Sequence, residues 1–374
     1  MSLDHKRPDR VRKQNIHFPT ARLFSWYDKQ GRDLPWRRRW PELASAYHVW
    51  LSEIMLQQTV VATVIPYFLD FTRRWPTVKS LAAAPLDDVL AAWAGLGYYA
   101  RARNLHKTAA IVSEEWGGKF YCPDDDSPYS DTEWDRHFRS LPGIGRYTAG
   151  AIAAIAFGKQ AVVVDGNIER LFSRYFGIKT PLPAAKNEIV GAYQSLLPVG
   201  RPSDFPQALM DFSNAVCTPK RPSCQECCLA GSCIALAKGI VEKLPIKPPK
   251  VEKPLRRAIV FVAINHRGEV FLHRRPEKGL LGGMFGFPEI GLSAKTIDTD
   301  LDQKMAPFSA KWVLLDEPVL HVFTHFVLEA HIYLAHLDGR PDASSVSGQW
   351  KKPSPSDLPS LMRKIWLAAT RSSD

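Results

Sequence analysis

From Trp36 to Ala237 the apolar residues recur mostly at helical spacing. Val49, Ile54, Val60, Val61, Val64, Ile65 and Phe68 trace one such segment, which Pro66 is expected to bend or interrupt. Further helical stretches are predicted around Leu86–Ala94, Arg101–Trp116, Tyr147–Phe157, Gly166–Tyr175, Lys186–Leu197 and Gln207–Val216. They are separated by Gly and Pro positions such as Pro85, Gly95 and Gly97, Pro142 to Gly145, and Pro181 and Pro183. An all-α domain is therefore expected over residues 21–242, with residues 1–20 as a disordered or arm-like N-terminus. Lys243–Arg257 reads KLPIKPPKVEKPLRR, with four prolines and six basic residues against one Glu, a composition suited to a semi-rigid extended linker. Beyond it the pattern becomes β-rich and period-two, in Ala258–Asn265, Glu269–His273, Lys311–Leu315 and His321–Leu334, with a closing helix near Asp357–Ala369. An α+β domain is expected over 258–374, which makes the chain multidomain. Tyr121–Trp134, rich in Pro, Asp and Ser, reads as an exposed acidic loop.

Composition narrows the class. A length of 374 residues suggests two or three domains, and 45% hydrophobic with 23% charged residues excludes wholesale disorder. No run of 18 apolar residues occurs, and the basic N-terminus lacks the apolar core of a signal peptide. Six cysteines, mostly clustered, are too few for a secreted disulfide scaffold. These features point to a soluble intracellular protein with no membrane partner. The net charge is +11, and the parts before and after residue 242 are both basic, so both are expected to face the same polyanion.

Cys217, Cys224, Cys227 and Cys233 follow the spacing C-x6-C-x2-C-x5-C directly after the Gln207–Val216 helix. Four thiolates within 17 residues can surround one small centre, and thiolate-only sites suit zinc or an iron–sulfur cluster. Spacing does not decide between the two, and Cys228 could substitute for Cys227. The loop between the first two cysteines carries Lys220 and Arg221, placed to grip a phosphate backbone. Upstream, Leu141-Pro142-Gly143-Ile144-Gly145 joins two helical stretches. Gly143 and Gly145 there leave bare backbone N–H groups at a helix start, suited to a phosphate oxygen. Val162-Val163-Val164-Asp165-Gly166-Asn167 then delivers one carboxylate to a helix start, as an N-cap or as an anion facing a developing cation.

LPGIGRYTAG with VDGNIERL, followed by the four-cysteine spacing, resembles the helix–hairpin–helix DNA glycosylases with a C-terminal iron–sulfur loop. Within that family, SEIMLQQT (Ser52–Thr59), LPWR (Leu34–Arg37) and GLGYYARARNL (Gly95–Leu105) resemble the adenine-removing, MutY-type branch, and the likeness runs from about Ala21 to the end. The resemblance implies a [4Fe–4S] cluster on Cys217, Cys224, Cys227 and Cys233, with Cys122 and Cys228 as non-ligands. It implies a monomer acting on double-stranded DNA that carries adenine opposite 8-oxoguanine or guanine. His273–Pro276 and Leu281–Glu289 resemble a MutT-like (Nudix-like) domain, yet IGLSAKTIDTD after Glu289 lacks the R-E-x-x-E-E helix that holds magnesium in a working hydrolase. That domain is expected to read the base opposite adenine. The family's reading tip is Phe-Ser-His; here Phe323-Thr324-His325 retains the hydroxyl and adds a methyl group.

Cleavage of an adenine N-glycosidic bond requires protonation of the leaving base and stabilisation of an oxocarbenium-like sugar. Glu53 lies in the apolar setting Trp50-Leu51-Ser52-Glu53-Ile54-Met55-Leu56, where desolvation would keep it protonated near neutral pH. The resemblance makes it the acid that protonates the base, and makes Asp165 the anion beside the sugar. Bifunctional relatives carry a lysine where this chain has Tyr147, 18 residues before Asp165, and use its amine to form a Schiff base. A monofunctional hydrolytic enzyme is therefore expected, with Tyr147 and Asn167 in positioning roles. Arg37 and Gln207 match positions lining the adenine pocket; Leu56, Gln58 and Tyr98 match those that fill the gap left by the extruded nucleotide. Position 147 and the additional domain argue against a pyrimidine-specific endonuclease III-like enzyme. The intact carboxylate pair argues against a non-enzymatic DNA-binding module, and the missing metal-binding helix against a nucleotide pyrophosphatase.

Overall fold

The computed structural model describes residues 18–121, 133–249, 252–276, 279–291, 305–341, 347–353 and 358–371. The expectations for the N-terminal arm, for most of the acidic stretch including Cys122, and for the segment following Glu289 lie largely outside these residues.

Among the described residues the helices are α1 (Thr20–Gln30), α2 (Ala46–Leu56), α3 (Val61–Arg74), α4 (Val78–Ala82), α5 (Leu86–Ala92), α6 (Ala100–Glu115), α7 (Glu133–Ser140), α8 (Arg146–Ala151), α9 (Gly166–Tyr175), α10 (Lys186–Gln194), α11 (Asp204–Ala215) and α12 (Ile234–Ala237). A π-helical stretch, Ile152–Ala156, prolongs α8. The strands are β1 (Leu255–Asn265), β2 (Val270–Arg274), β3 (Phe285–Gly286), β4 (Glu289–Ile290), β5 (Val313–Leu314), β6 (Val319–Val322), β7 (Val327–Leu337) and β8 (Gly348–Lys351), followed by α13 (Ser360–Arg371).

Three local expectations are corrected. Pro66 does not interrupt its segment: it lies inside α3. The break falls instead at residues 57–60, where Gln58 has φ 58°. Pro66 faces solvent, so water can satisfy the carbonyl that its missing N–H leaves free. Glu133 and Trp134 belong to α7 rather than to the acidic loop, because Trp134 is buried and stacked on Phe138 at 3.9 Å. Residues 255–257, read as linker, already form the start of β1, paired with residues 327–329 of β7.

The chain forms two compact units that are discontinuous in sequence: residues 1–53 with 120–249, and residues 54–119 with 250–374. In the first, α1 and α9 pack against α11. Trp26 meets Phe212 edge-on at 5.1 Å, and Phe172, Tyr193 and Phe205 form a buried aromatic series. Each such ring contributes on the order of 1.5–3 kcal/mol through burial alone. The α7–α8 hairpin turns at Gly143, whose φ of +81° strongly favours glycine. At Gly150 in α8 a Cβ would stand 2.3 Å from the Val162 carbonyl oxygen, so only glycine allows the chain leading to Asp165 to approach this closely.

In the second unit α6 packs against α4 and α5. The sheet has the path β3-β2-β1-β7-β5, with β4 on β1, β8 on β2 and β6 on β7. The β1–β7 pair is parallel, from Leu255↔Val327 to Asn265↔Leu337; the other pairs are antiparallel. Even-numbered β1 residues (Ala258, Val260, Val262) join Leu328, Ile332, Leu361 and Ile365 of α13 in one core, and odd-numbered ones (Ile259, Phe261, Ala263) join Phe308 and Trp312 in another. Covered on both faces, β1 is continuously apolar rather than alternating; β7 keeps the period of two.

Candidate active site

Glu53 lies on α2 with only 7% of its surface exposed. Burial pushes its carboxyl up to about 7, and the nearby Asp165 charge adds to the rise; a Tyr147 hydrogen bond and the Arg37 charge act in the opposite sense. The Tyr147 hydroxyl donates to this carboxylate, and the Met210 sulfur lies 3.6 Å from the same hydroxyl oxygen. Burial raises the Tyr147 hydroxyl well above its ordinary value, with the Glu53 and Asp165 charges adding to it, so the phenol stays a proton donor.

Asp165 caps α9. Its Oδ1 accepts from the backbone N–H groups of Asn167 (3.0 Å) and Ile168 (2.8 Å), and its Oδ2 accepts from the Asn167 side-chain amide at 2.7 Å. Both readings of this carboxylate are therefore compatible: it is an N-cap, and its charge reaches Glu53. The Asn167 amide oxygen accepts in turn from Arg170 at 3.2 Å, and Arg170 also donates to the carbonyls of Cys217 and Ser213, both at 2.8 Å.

Arg37 is held by Asp211 of α11 through two bonds of 2.7 and 3.0 Å, while Arg32 binds the same carboxylate through its backbone N–H, Nε and Nη2. Asp211 is 1% exposed, and its carboxyl stays below the usual range because these guanidinium groups outweigh the effect of burial. Gln207, one turn earlier on α11, donates its side-chain N–H to the Ser203 carbonyl at 2.8 Å, leaving its buried Oε1 without a partner. An unsatisfied buried acceptor suits a ligand that brings an N–H. Arg32 and Arg37 also line an open cavity of about 380 Å³ with Arg38, Arg39 and Trp40.

Cys217, Cys224, Cys227 and Cys233 line one cavity, together with Leu171, Arg174 and Val216; Cys228 lines a different one with Pro19 and Arg22. Burial pushes the Cys227 thiol up to about 12 and also raises Cys224 and Cys233, so a cationic centre is needed to hold them as thiolates. Among the described residues no three His, Cys, Asp or Glu side chains converge on a single metal ion. Arg174, fully buried, donates to the Cys217 sulfur (3.4 Å), to the carbonyls of Thr218 and Pro219, and to those of Val241 and Leu244. Lys220 and Arg221 are exposed on the loop it holds, and Gly143 and Gly145 are exposed at the α7–α8 turn.

The remaining candidates lie in the second unit. Leu56 is half-buried, and Gln58 and Tyr98 are exposed; Gln58 and Tyr98 have positive φ, 58° and 49°. Thr324 and His325 form the tip of the β6–β7 hairpin, where the Phe323 N–H donates to the Phe326 carbonyl at 2.9 Å. Phe323 packs into the core beneath the tip. The Tyr98 hydroxyl and the Thr324 hydroxyl share a hydrogen bond of 3.1 Å. His273 and Arg275 both pair with Glu289.

Sequence reasoning missed Arg32, Asp211, Arg101, Arg170, Arg174 and Met210. Only Asp211 offered a signal, as an acidic residue in the otherwise apolar ALMDF segment, one turn after Gln207.

A helical unit with a buried acid and an N-cap carboxylate, beside a four-cysteine loop, and a mixed sheet with a closing helix are the architecture that the family matches identify. Residues 51–190 match the family profile HhH-GPD, described as "HhH-GPD superfamily base excision DNA repair protein", and residues 259–368 match that of the NUDIX domain. The chain is 34% identical to the human adenine DNA glycosylase over 87% of its own length and 68% of the relative's. It is 35% identical to the adenine DNA glycosylase of Buchnera aphidicola subsp. Schizaphis graminum, covering 84% of this chain and 86% of that one. A solved thermostable thymine-DNA glycosylase is 27% identical over 58% of this chain and 94% of its own, with a TM-score of 0.49. The chain belongs to the adenine DNA glycosylase family. It is accordingly an enzyme of base excision repair that acts on adenine in DNA. No helix among the described residues is long and apolar enough to cross a membrane.

Proposed function

We propose that this chain hydrolyses the N-glycosidic bond of adenine paired with 8-oxoguanine, and less efficiently with guanine, in duplex DNA, without cutting the strand. The observation that carries this reading is the buried Glu53 carboxyl, held near neutrality and hydrogen-bonded by Tyr147 within reach of the Asp165 charge. A neutral acid there can protonate the leaving adenine. The Asp165 carboxylate, fixed by Asn167 and the start of α9, faces the positive charge that then develops on the sugar. Tyr147 supplies a hydroxyl and no amine, which favours hydrolysis over Schiff-base chemistry. The unpartnered Gln207 oxygen suits the exocyclic amino group of adenine, and Arg37, locked by Asp211, stands as a fixed cation beside the acid.

Residues 21–242 would perform excision, 243–254 would act as linker, and the domain that begins with β1 at Leu255 would read the opposite base. In that reading Phe323, Thr324 and His325 meet the lesion, Leu56, Gln58 and Tyr98 occupy the gap, and Gly143, Gly145, Lys220 and Arg221 hold phosphates. The Tyr98–Thr324 hydrogen bond supports it by joining a gap-filling candidate to the reading tip. The cysteine loop fits a [4Fe–4S] cluster in its donor set: four thiols line one cavity, and Cys228 lines another. Cys217, Cys224, Cys227 and Cys233 would hold the cluster, which would supply a structural crosslink beneath the Lys220–Arg221 loop. A monomer working in the cytoplasm on nucleoid DNA completes the proposal.

Single-turnover cleavage of oligonucleotides carrying adenine opposite 8-oxoguanine, guanine, cytosine or thymine tests it, with and without alkaline treatment. Strand breaks appearing only after alkali, and fastest opposite 8-oxoguanine, are expected. Breaks without alkali, or equal rates opposite all four bases, overturn it.

A further inference from the structure

Arg101 of α6 is 8% exposed, yet none of its hydrogen bonds is to a carboxylate. Its Nη1 donates to the carbonyls of Ile54 (3.1 Å) and Met55 (2.8 Å), at the end of α2. Its Nη2 donates to the Thr59 hydroxyl (3.1 Å) and to the carbonyls of Leu96 (2.9 Å) and Gly97 (3.1 Å). One planar guanidinium thus reaches two separate loops, residues 56–60 and 95–98. In each loop a contact adjoins an exposed residue in the left-handed region: Thr59 follows Gln58 (φ 58°), and Gly97 precedes Tyr98 (φ 49°). Non-glycine residues avoid this conformation by 1–2 kcal/mol, roughly, so both need surrounding structure to hold them there. The same guanidinium lies 5.6 Å from the Tyr98 ring centre and 5.2 Å from that of Trp93, a cation–π arrangement that also restrains the tyrosine.

A buried cation with only neutral partners is retained where its geometry matters more than its charge. From this arrangement we infer that Arg101 is the positioning residue that holds the Gln58 and Tyr98 loops in one fixed relation, so that both side chains enter the duplex together and the target adenine leaves the stack. The inference rests on the proposal that Gln58 and Tyr98 fill the gap. It predicts a defect in base extrusion and not in bond cleavage. Lysine keeps the charge but has no planar fork to serve five acceptors, so Arg101→Lys should fail almost as fully as Arg101→Gln.

The test uses the full-length chain and a duplex with 2-aminopurine at the target position, whose fluorescence rises on unstacking. Excision is compared on an ordinary mispair and on adenine opposite an abasic site, where pairing no longer opposes extrusion. Arg101→Lys is expected to slow the fluorescence rise and excision from the mispair by about tenfold, the scale of one or two hydrogen bonds from a charged donor. Excision opposite the abasic site should stay within about threefold of the unaltered chain. Equal slowing on both substrates, or no slowing on either, overturns the inference. Thr59→Val, which removes a single contact, covers the case in which Arg101 variants do not fold; an unchanged fluorescence rise there overturns it as well. Tyr98→Ala separates the layers. If it slows extrusion while Arg101→Lys does not, only the role of Arg101 falls; if it leaves extrusion unchanged, the gap-filling reading falls with it.

Discussion

Glu53→Gln should make the protein more stable in a pH-dependent way while removing its chemistry. In the unfolded chain this carboxyl ionises at its ordinary value of 4.5, whereas burial in the native state pushes it up to about 7. Below pH 4.5 both states hold the proton and the site is neutral in both. As pH rises from there, the unfolded chain releases its proton first, so native stability falls, and the whole penalty is present above pH 7. A rise from 4.5 to about 7 corresponds to roughly 3 kcal/mol, most of which develops between pH 5 and pH 8. Glutamine keeps the shape and cannot ionise, so it escapes this penalty. The melting temperature of the variant should therefore gain on that of the unaltered chain by roughly 5–10 °C between pH 5 and pH 8, at 2–4 °C per kcal/mol for a unit of this size. Scanning calorimetry of both proteins across that range provides the measurement. Melting curves that run parallel from pH 5 to pH 8 would show that Glu53 titrates as it does in water, and the argument for a neutral acid would fail.

The same titration should appear in catalysis: single-turnover excision should fall about tenfold for each pH unit above 7 as Glu53 loses its proton, and a rate that stays level to pH 9 would contradict its acid role. Tyr147→Lys places an amine where the hydroxyl now meets Glu53, and should yield a borohydride-trappable adduct or some strand nicking; the absence of both would remove the basis for calling the site hydrolytic by virtue of Tyr147. Thr324→Val keeps the shape of the tip and deletes the hydroxyl shared with Tyr98, so the preference for 8-oxoguanine over guanine should shrink by about tenfold, and an unaltered ratio would exclude that hydroxyl as a reader.

The helical part was legible because one wet face and one dry face impose a 3.6-residue period, and α6, α9 and α11 begin and end near where that period begins and ends. In the β part the strand at β1 was legible but its period was not: Ala258–Asn265 was expected to alternate, whereas that run is buried on both faces and carries no alternation. Pro66 misled because a proline disrupts a helix only when the carbonyl it strands has no other partner, and the sequence does not say which face meets water. Among the site residues, Glu53 stood out because its apolar neighbours allow desolvation and the adjoining LQQT segment resembles the glycosylase family; the apolar run alone would equally fit a glutamate on a wet helix face.

Apart from Arg37, which the LPWR segment pointed to, the buried and half-buried arginines of the two units carry no comparable mark. Arg32 and Arg37 meet a carboxylate some 170 residues away, Arg170 and Arg174 grip main-chain carbonyls of the cysteine loop, and Arg101 grips those of two loops in its own unit. Periodicity reports which side chains avoid water. A guanidinium that spends its donors on backbone oxygens avoids water for a reason that lies in the acceptors, and every residue has that acceptor. The burial of these cations also accounts for where the chain is tense: the strained Gln58 and Tyr98 adjoin contacts of Arg101, and Arg221, also at positive φ, lies two residues beyond the Pro219 carbonyl held by Arg174. Strain at an exposed tip needs a rigid footing. At Gln58, Tyr98 and Arg221 a buried arginine lies in that footing, so exchanging Arg101 or Arg174 for lysine should be far from conservative.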